Sequence, residues 1–288
     1  MNLTSEDISN LSFDEPLEYK NILLYPATMK YYHIFLIAEE SLDISRIEEK
    51  DKRLLRLPYL DYLYEKSLLN EEFKIRWNIL LGVLNIVFGE KQNFEILKDN
   101  GKIIIKVYQK SNDFELLNKE YTILKSQKNP NKLQLKKELE EKMYNVITVG
   151  AEDFEEIRQR IMYQNDIVPQ HYSKKTEQYL YEMKKKLRKA KPSNNIELED
   201  LITAVAYSLN MTNKEIEKMT IRRFNRLLNI VMTKDDYYLY KELELSGKIE
   251  TKQKISHWLS HYKPKGKFDD ILIEGNNFMS SLGNEGKI

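Results

Sequence analysis

The sequence predicts a predominantly helical α+β fold, with N-terminal helices around a small antiparallel sheet and a helical module toward the C-terminus. Three observations support this. Apolar residues recur every three to four positions along several stretches, that period gives way to alternation in the middle of the chain, and helix breakers are sparse, with 9 Gly and 7 Pro among 288 residues. Charged residues reach 32%, which suits solvated outer helix faces, and the 41% hydrophobic content is enough to bury a core.

After an acidic leader, PLEYKNILLYP alternates apolar and polar residues, which predicts one half-buried strand with Leu17, Tyr19, Leu23 and Tyr25 on the inner side. Pro26 ends it. A helix is expected after Thr28, because Met29, Tyr32, Phe35 and Leu36 share one face. Another starts at Pro58, a residue suited to the first helical position, with Leu60, Leu63, Tyr64 and Leu68 in line. Phe73, Trp77, Leu80, Leu81, Leu84 and Phe88 then make a wide apolar stripe, so this helix is expected to run through the first core.

Alternation takes over in NFEILKDNGKIIIKVYQ, which reads as two strands joined at Asp99, Asn100 and Gly101, residues that accept the positive φ of a tight hairpin. YNVITVG, residues 144–150, is a third strand, reached through a charged helical excursion around KLQLKKELEEKMY. Gly150 ends the sheet, and Phe154, Ile157 and Ile161 bring the next helix back onto it. A helix from Ser173 to Lys189 carries Tyr179, Leu180, Met183 and Leu187 on one face and ends in a basic run, Lys184 to Lys191. That run suits a nucleic-acid or membrane surface, but cations at a helix C-terminus are explained more simply by the helix dipole and a solvated linker. Pro192 to Asn195 mark a boundary. The resulting division is an α+β domain over 1–170, a charged helical connector over 171–195, a helical module over 196–263 and a tail over 264–288.

Several chemistries are excluded or left without support. The net charge of +1, from 46 Lys and Arg against 45 Asp and Glu, lacks the basic excess of a general phosphate-backbone binder. Zero cysteines remove disulfides, thiolate metal sites and a Cys nucleophile. The richest apolar stretch, Ile79 to Phe88, is far short of the roughly 20 residues a spanning helix needs. Together with the absence of a signal-peptide pattern in MNLTSEDISN, this predicts a chain that stays in the compartment where it is made. Each Gly-Lys pair lacks the Gly five residues earlier that a phosphate loop requires: Ile96, Glu242, His261 and Ser281 stand there instead. Neither GxGxxG nor GxSxG occurs.

Lys106, which a metal nuclease would pair with an acid two residues away, has Ile104 there. The pair Asp235-Asp236 falls where a helix N-terminus is expected, which accounts for the negative charge without a metal, and Asp269-Asp270 is a second such pair. His257 and His261 share a helical face, but Trp258 occupies the position of the catalytic Glu in a zinc helix, and an inward-packing Trp is the simpler account. The tyrosines between Tyr19 and Tyr64 are explained by half-buried packing rather than base stacking. No catalytic, cofactor or metal residue is assigned, and the chain is not expected to be an enzyme.

The stretch ITAVAYSLNMTNKEIEKMTIRRFNRLLNIV first suggests a helix-turn-helix. Ala206, Asn210 and Ile216 keep its spacing, with Asn in the left-handed position of the turn. Leu201, Val205 and Leu209 line the first helix; Thr212 with Glu215 forms a capping box for the second, and Thr220 caps a third bearing Ile221, Phe224, Leu227, Leu228 and Val231 on one face. A reading helix with the sequence NKEIEKM would turn Glu215 and Glu217 toward phosphates, so nucleic acid is disfavoured as a partner. Arg222, Arg223 and Arg226 lie on the flank of the third helix, where carboxylates or water suit them.

Residues 198–231, LEDLITAVAYSLNMTNKEIEKMTIRRFNRLLNIV, resemble the compact helical segment of phage tail assembly chaperones, and YKNILLYPATMKYYHIF and LELSGKIETKQKISHWLSH resemble proteins of long-tailed phage morphogenesis. The resemblance implies a non-catalytic scaffold in the host cytoplasm that binds tail proteins such as the tape measure and the tail tube; a virion component of the tail or baseplate is the alternative. Helix-in-groove recognition would then use Met211, Ile216, Met219, Arg222, Arg223, Phe224, Arg226 and Trp258. Self-association is left open. The chain is larger than ordinary small chaperones, and its strand-bearing N-terminal half departs from them.

Overall fold

A computed structural model describes residues 4–46, 49–89, 92–126, 132–169 and 197–246, together with 175–176, 178–180, 182–183, 257–258 and 264. The basic run Lys184 to Lys191, the boundary at Pro192 to Asn195, most of the helices expected around Ser173 to Lys189 and at HWLSH, and the tail beyond Pro264 lie outside these residues. The fold is α+β and mostly helical, with two small antiparallel sheets. The chain divides into two compact units: Met1–Pro26, Glu40–Leu42 and Glu49–Ile161 form the first, and Ala27–Glu39, Asp43–Glu48 and Met162–Ile288 the second.

In the first unit, α1 (Ser5–Ser12) opens on a capping box in which Thr4 and Asp7 satisfy each other's backbone N–H. The single strand expected over 16–25 is instead a tight hairpin, β1 (Leu17–Tyr19) and β2 (Ile22–Leu24), with Leu17 opposite Leu24. Lys20 and Asn21 both take positive φ, 49° and 67°, as a two-residue primed turn requires. The reversal changes which side chains face inward: Leu17, Ile22 and Leu24 are buried, while Leu23 and Tyr25 are half-buried. After a short α3 (Lys52–Leu55), α4 (Tyr59–Leu69) begins with Pro58 as its N-cap and packs along α5 (Glu71–Phe88). Leu60, Leu63, Leu80, Val83, Leu84, Val87 and Phe88 are fully buried between and beneath them, whereas Leu68 at the end of α4 is exposed. Phe73 and Trp77 are half-buried, meeting Tyr62 and Tyr64 edge-on at 6.1 and 5.3 Å.

The second sheet has the order β3-β4-β5, from β3 (Gln92–Asp99), β4 (Lys102–Lys110) and β5 (Tyr144–Val149). Asn100 and Gly101, at φ 49° and 79°, make the expected turn and set Asp99 opposite Lys102. Ile103, Ile105, Val107 and Val149 form its buried face. Asp61 on α4 accepts the Ile103 N–H at 2.7 Å, a buried bond that ties the start of β4 to the helix. Two helices, α6 (Phe114–Ser126) and α7 (Lys132–Met143), stand between β4 and β5. The sequence reading placed only the second, although Phe114, Leu117, Tyr121 and Leu124 line the inward side of α6 at helical spacing. α8 (Ala151–Gln164) buries Phe154, Ile157 and Ile161 as expected. Near its start Asp153 accepts from Tyr19 Oη at 2.9 Å and Lys20 Nζ at 2.6 Å, and the Lys20 bond holds its carboxyl below the ordinary carboxylate range.

Candidate protein-binding module

Three helices of the second unit have boundaries set by local chemistry. α9 (Leu198–Leu209) starts on a reciprocal cap between Glu197 and Asp200, and ends where Asn210 turns left-handed at φ 53°, ψ 45°. The Met211 N–H closes that turn on Ala206 O at 2.9 Å. Thr212 and Glu215 form the expected capping box: Glu215 Oε2 accepts from the Thr212 N–H at 2.7 Å, and Thr212 Oγ1 accepts the Glu215 N–H at 3.3 Å. The Thr212 backbone bond, first among its causes, holds the Glu215 carboxyl below its ordinary range. α10 (Asn213–Lys218) lasts six residues before Met219 becomes extended. Thr220 then caps α11 (Ile221–Leu245) by accepting the Arg223 N–H at 3.1 Å.

The extended link between α10 and α11 is held by a distant part of the chain. Met29 donates to Met219 O at 2.8 Å and Ile221 donates to Ala27 O at 2.9 Å, so Thr28 and Thr220 form an antiparallel bridge. The 3₁₀ turn Met29–Tyr31 packs on α10 and leads into α2 (Tyr32–Leu42). The Ala27 N–H is satisfied in turn by Asn165 Oδ1 at 2.9 Å, a buried bond. On α2, Phe35 and Ala38 are buried but Leu36, expected on the inner face, is exposed. The helix starts three residues later than the sequence suggested, after the 3₁₀ turn, which shifts the inward face.

The structure splits the eight residues named for partner binding. Ile216, Met219 and Phe224 are buried in the module's own core, as is Arg222, 9% exposed. Arg222 Nη1 donates to Asp166 Oδ1 at 3.1 Å and to Tyr163 O at 2.8 Å, and its guanidinium lies 5.0 Å from the Tyr163 ring. The carboxylate anticipated for this Arg is therefore supplied by the chain itself. Met211 and Arg226 are half-buried and Arg223 is exposed. Trp258 is half-buried in a turn, with Lys234 Nζ 5.8 Å from its ring and His257 stacked on it at 5.4 Å. The second histidine of HWLSH, His261, lies outside the described residues. Among the described residues no group of three or more His, Cys, Asp or Glu is placed to hold a metal.

Residues that sequence reasoning passed over make the module's exposed apolar surface. Tyr207 on α9 is 89% exposed and Leu245 on α11 87%; Met232, Tyr238, Leu239 and Tyr240 are exposed as well. α11 runs 25 residues, well beyond the stripe ending at Val231, and carries Asp235-Asp236 in its middle. A helix N-terminus is thus not what places those two acids. The available signal was the apolar content resuming after them, from Tyr237 to Leu245.

The segment that holds these helices is similar to a known domain. Residues 188–263 match the family described as YomV second domain. That domain is phage-associated. The match covers less than half of the chain, so it describes a segment rather than the whole. No curated protein matches the chain, and no solved structure does. Within the matched segment lie both kinds of apolar residue described above: those consumed by the core and those left on the surface of α9 and α11. Among the described residues, no helix is long and apolar enough to cross a membrane.

Proposed function

We propose that this chain is a non-catalytic phage morphogenesis protein that acts as a tail assembly chaperone in the host cytoplasm, holding helical stretches of tape-measure or tail-tube protein until they assemble. The observation that carries the reading is the exposed apolar content of the later turns of α11, where Met232, Tyr238, Leu239, Tyr240 and Leu245 all meet solvent around the helix, inside a segment that matches a phage-associated domain. Clustered apolar and aromatic groups on a helix that buries only its first turn suit a partner that supplies an amphipathic stripe. Met and Tyr fit such a role: Met adapts its shape, and Tyr contributes a large apolar surface with a polar tip.

Burial of Ile216, Met219 and Phe224 moves the proposed contact away from α10 and onto the later turns of α11. Arg223 lies exposed on the flank of the first turn. Co-expression with fragments of the tape-measure protein tests the reading. Recovery of more fragment in the soluble fraction with the chain than without it is expected, and equal recovery rejects the chaperone role. Finding the chain in purified virions by mass spectrometry would favour a tail or baseplate component instead.

A further inference from the structure

We propose that the free edge of β5 pairs with the same strand of a second copy, joining two three-stranded sheets into one six-stranded antiparallel sheet about a two-fold axis. The strand order β3-β4-β5 leaves two edges, and they differ in how they are guarded. β3 carries Glu95, Lys98 and Asp99, all exposed, as edge strands do when they are built to refuse partners. β5, YNVITV, carries no charged residue. It has two β-branched valines, an isoleucine and a threonine, and Val146 is 51% exposed. Among the described residues, no hydrogen bond from outside the β4 ladder reaches β5, so its outward N–H and C=O groups are a template for another strand.

The chemistry of the strand favours itself as occupant. In a symmetric antiparallel pair centred on Val146, that residue faces its own copy, and Tyr144 faces Thr148 of the other molecule. These are the β-branched and aromatic pairings that stabilise cross-strand neighbours, and no like charges oppose each other. The Tyr144 ring is already positioned, 6.2 Å from Tyr108 and 5.4 Å from Phe114, so the far end of the strand meets an ordered surface. A two-fold pair uses the same edge on both copies and leaves only the two charged β3 edges outermost, so growth stops at two.

The test uses the full chain, with oligomeric state followed by sedimentation across a dilution series and β5 amide exchange measured at high and low concentration. A dimer whose β5 amides lose protection on dilution is expected. Val146→Lys sets two ammonium groups opposite each other across the axis and is expected to raise the dissociation constant by about tenfold or more. Thr148→Lys, also at an exposed position, serves if the first variant folds poorly, which circular dichroism reveals. A parent chain that is monomeric at every concentration overturns the proposal, as does a folded lysine variant that dimerises as well as the parent.

Discussion

The two ends of α11 share a helix but not a role. Its first turn is held by several contacts: Thr220 caps it, the bridge to Thr28 fixes the preceding link, Arg222 is paired with Asp166, and Ile221 and Phe224 are 4% and 1% exposed. From Met232 to Leu245 the same helix keeps its apolar content yet leaves Met232, Tyr238, Leu239, Tyr240 and Leu245 in solvent. The difference teaches that apolar character marks a residue as worth covering without saying what covers it. Near the start the module's own core does so. Toward the end His257 and Trp258 meet Tyr237 and Lys234, and the proposed function assigns the remaining apolar surface to a partner.

The contrast is broken most severely by Phe224→Ala. Deleting a fully buried ring removes its transfer energy and leaves a cavity, which costs about 3–5 kcal/mol. Denaturant unfolding of the full chain is expected to show this loss in a transition reporting on the second unit. A loss below about 1 kcal/mol would mean that the first turn is no better packed than the surface positions are.

Thr220→Ala has a smaller expected effect, about 1 kcal/mol, because it removes one capping acceptor while the bridge to Ala27 and Met29 persists. The same denaturation experiment measures it. Thr220→Asn, which can accept the Arg223 N–H, is expected to retain more of the stability than alanine does.

What was legible in the sequence follows the range of the interactions. The αL turn at Asn210, the capping box of Thr212 with Glu215, the cap at Thr220 and the hairpin turn at Asn100-Gly101 each depend on residues within four positions of one another, so their side-chain chemistry announces them. The turn at Lys20-Asn21 escaped because alternation continues on both sides of it and Lys is not a usual left-handed residue. The burial of Arg222 escaped for a different reason: its partner Asp166 is 56 residues earlier, and local pattern cannot reveal a pairing across that separation. The link between Ala27–Met29 and Met219–Ile221 is hidden in the same way. For the candidate site, helical periodicity followed the apolar residues of the third helix as far as Val231 and stopped there, so Phe224, spent on the core, was named while Leu239, left exposed, was not.

Leu239→Ser is the smallest change in stability and the sharpest test of the comparison. An exposed leucine contributes little to folding, so the substitution is expected to shift unfolding by no more than about 0.5 kcal/mol. Its effect belongs in the co-expression assay instead, where the folded variant should keep less tape-measure fragment soluble than the parent. Because Phe224→Ala would also lower recovery simply by unfolding the module, only a variant with parental stability separates a lost contact from a lost fold. If Leu239→Ser and Met232→Ser together leave both stability and recovery unchanged, the exposed half of α11 is not the holding surface. The apolar residues there would then be tolerated rather than used.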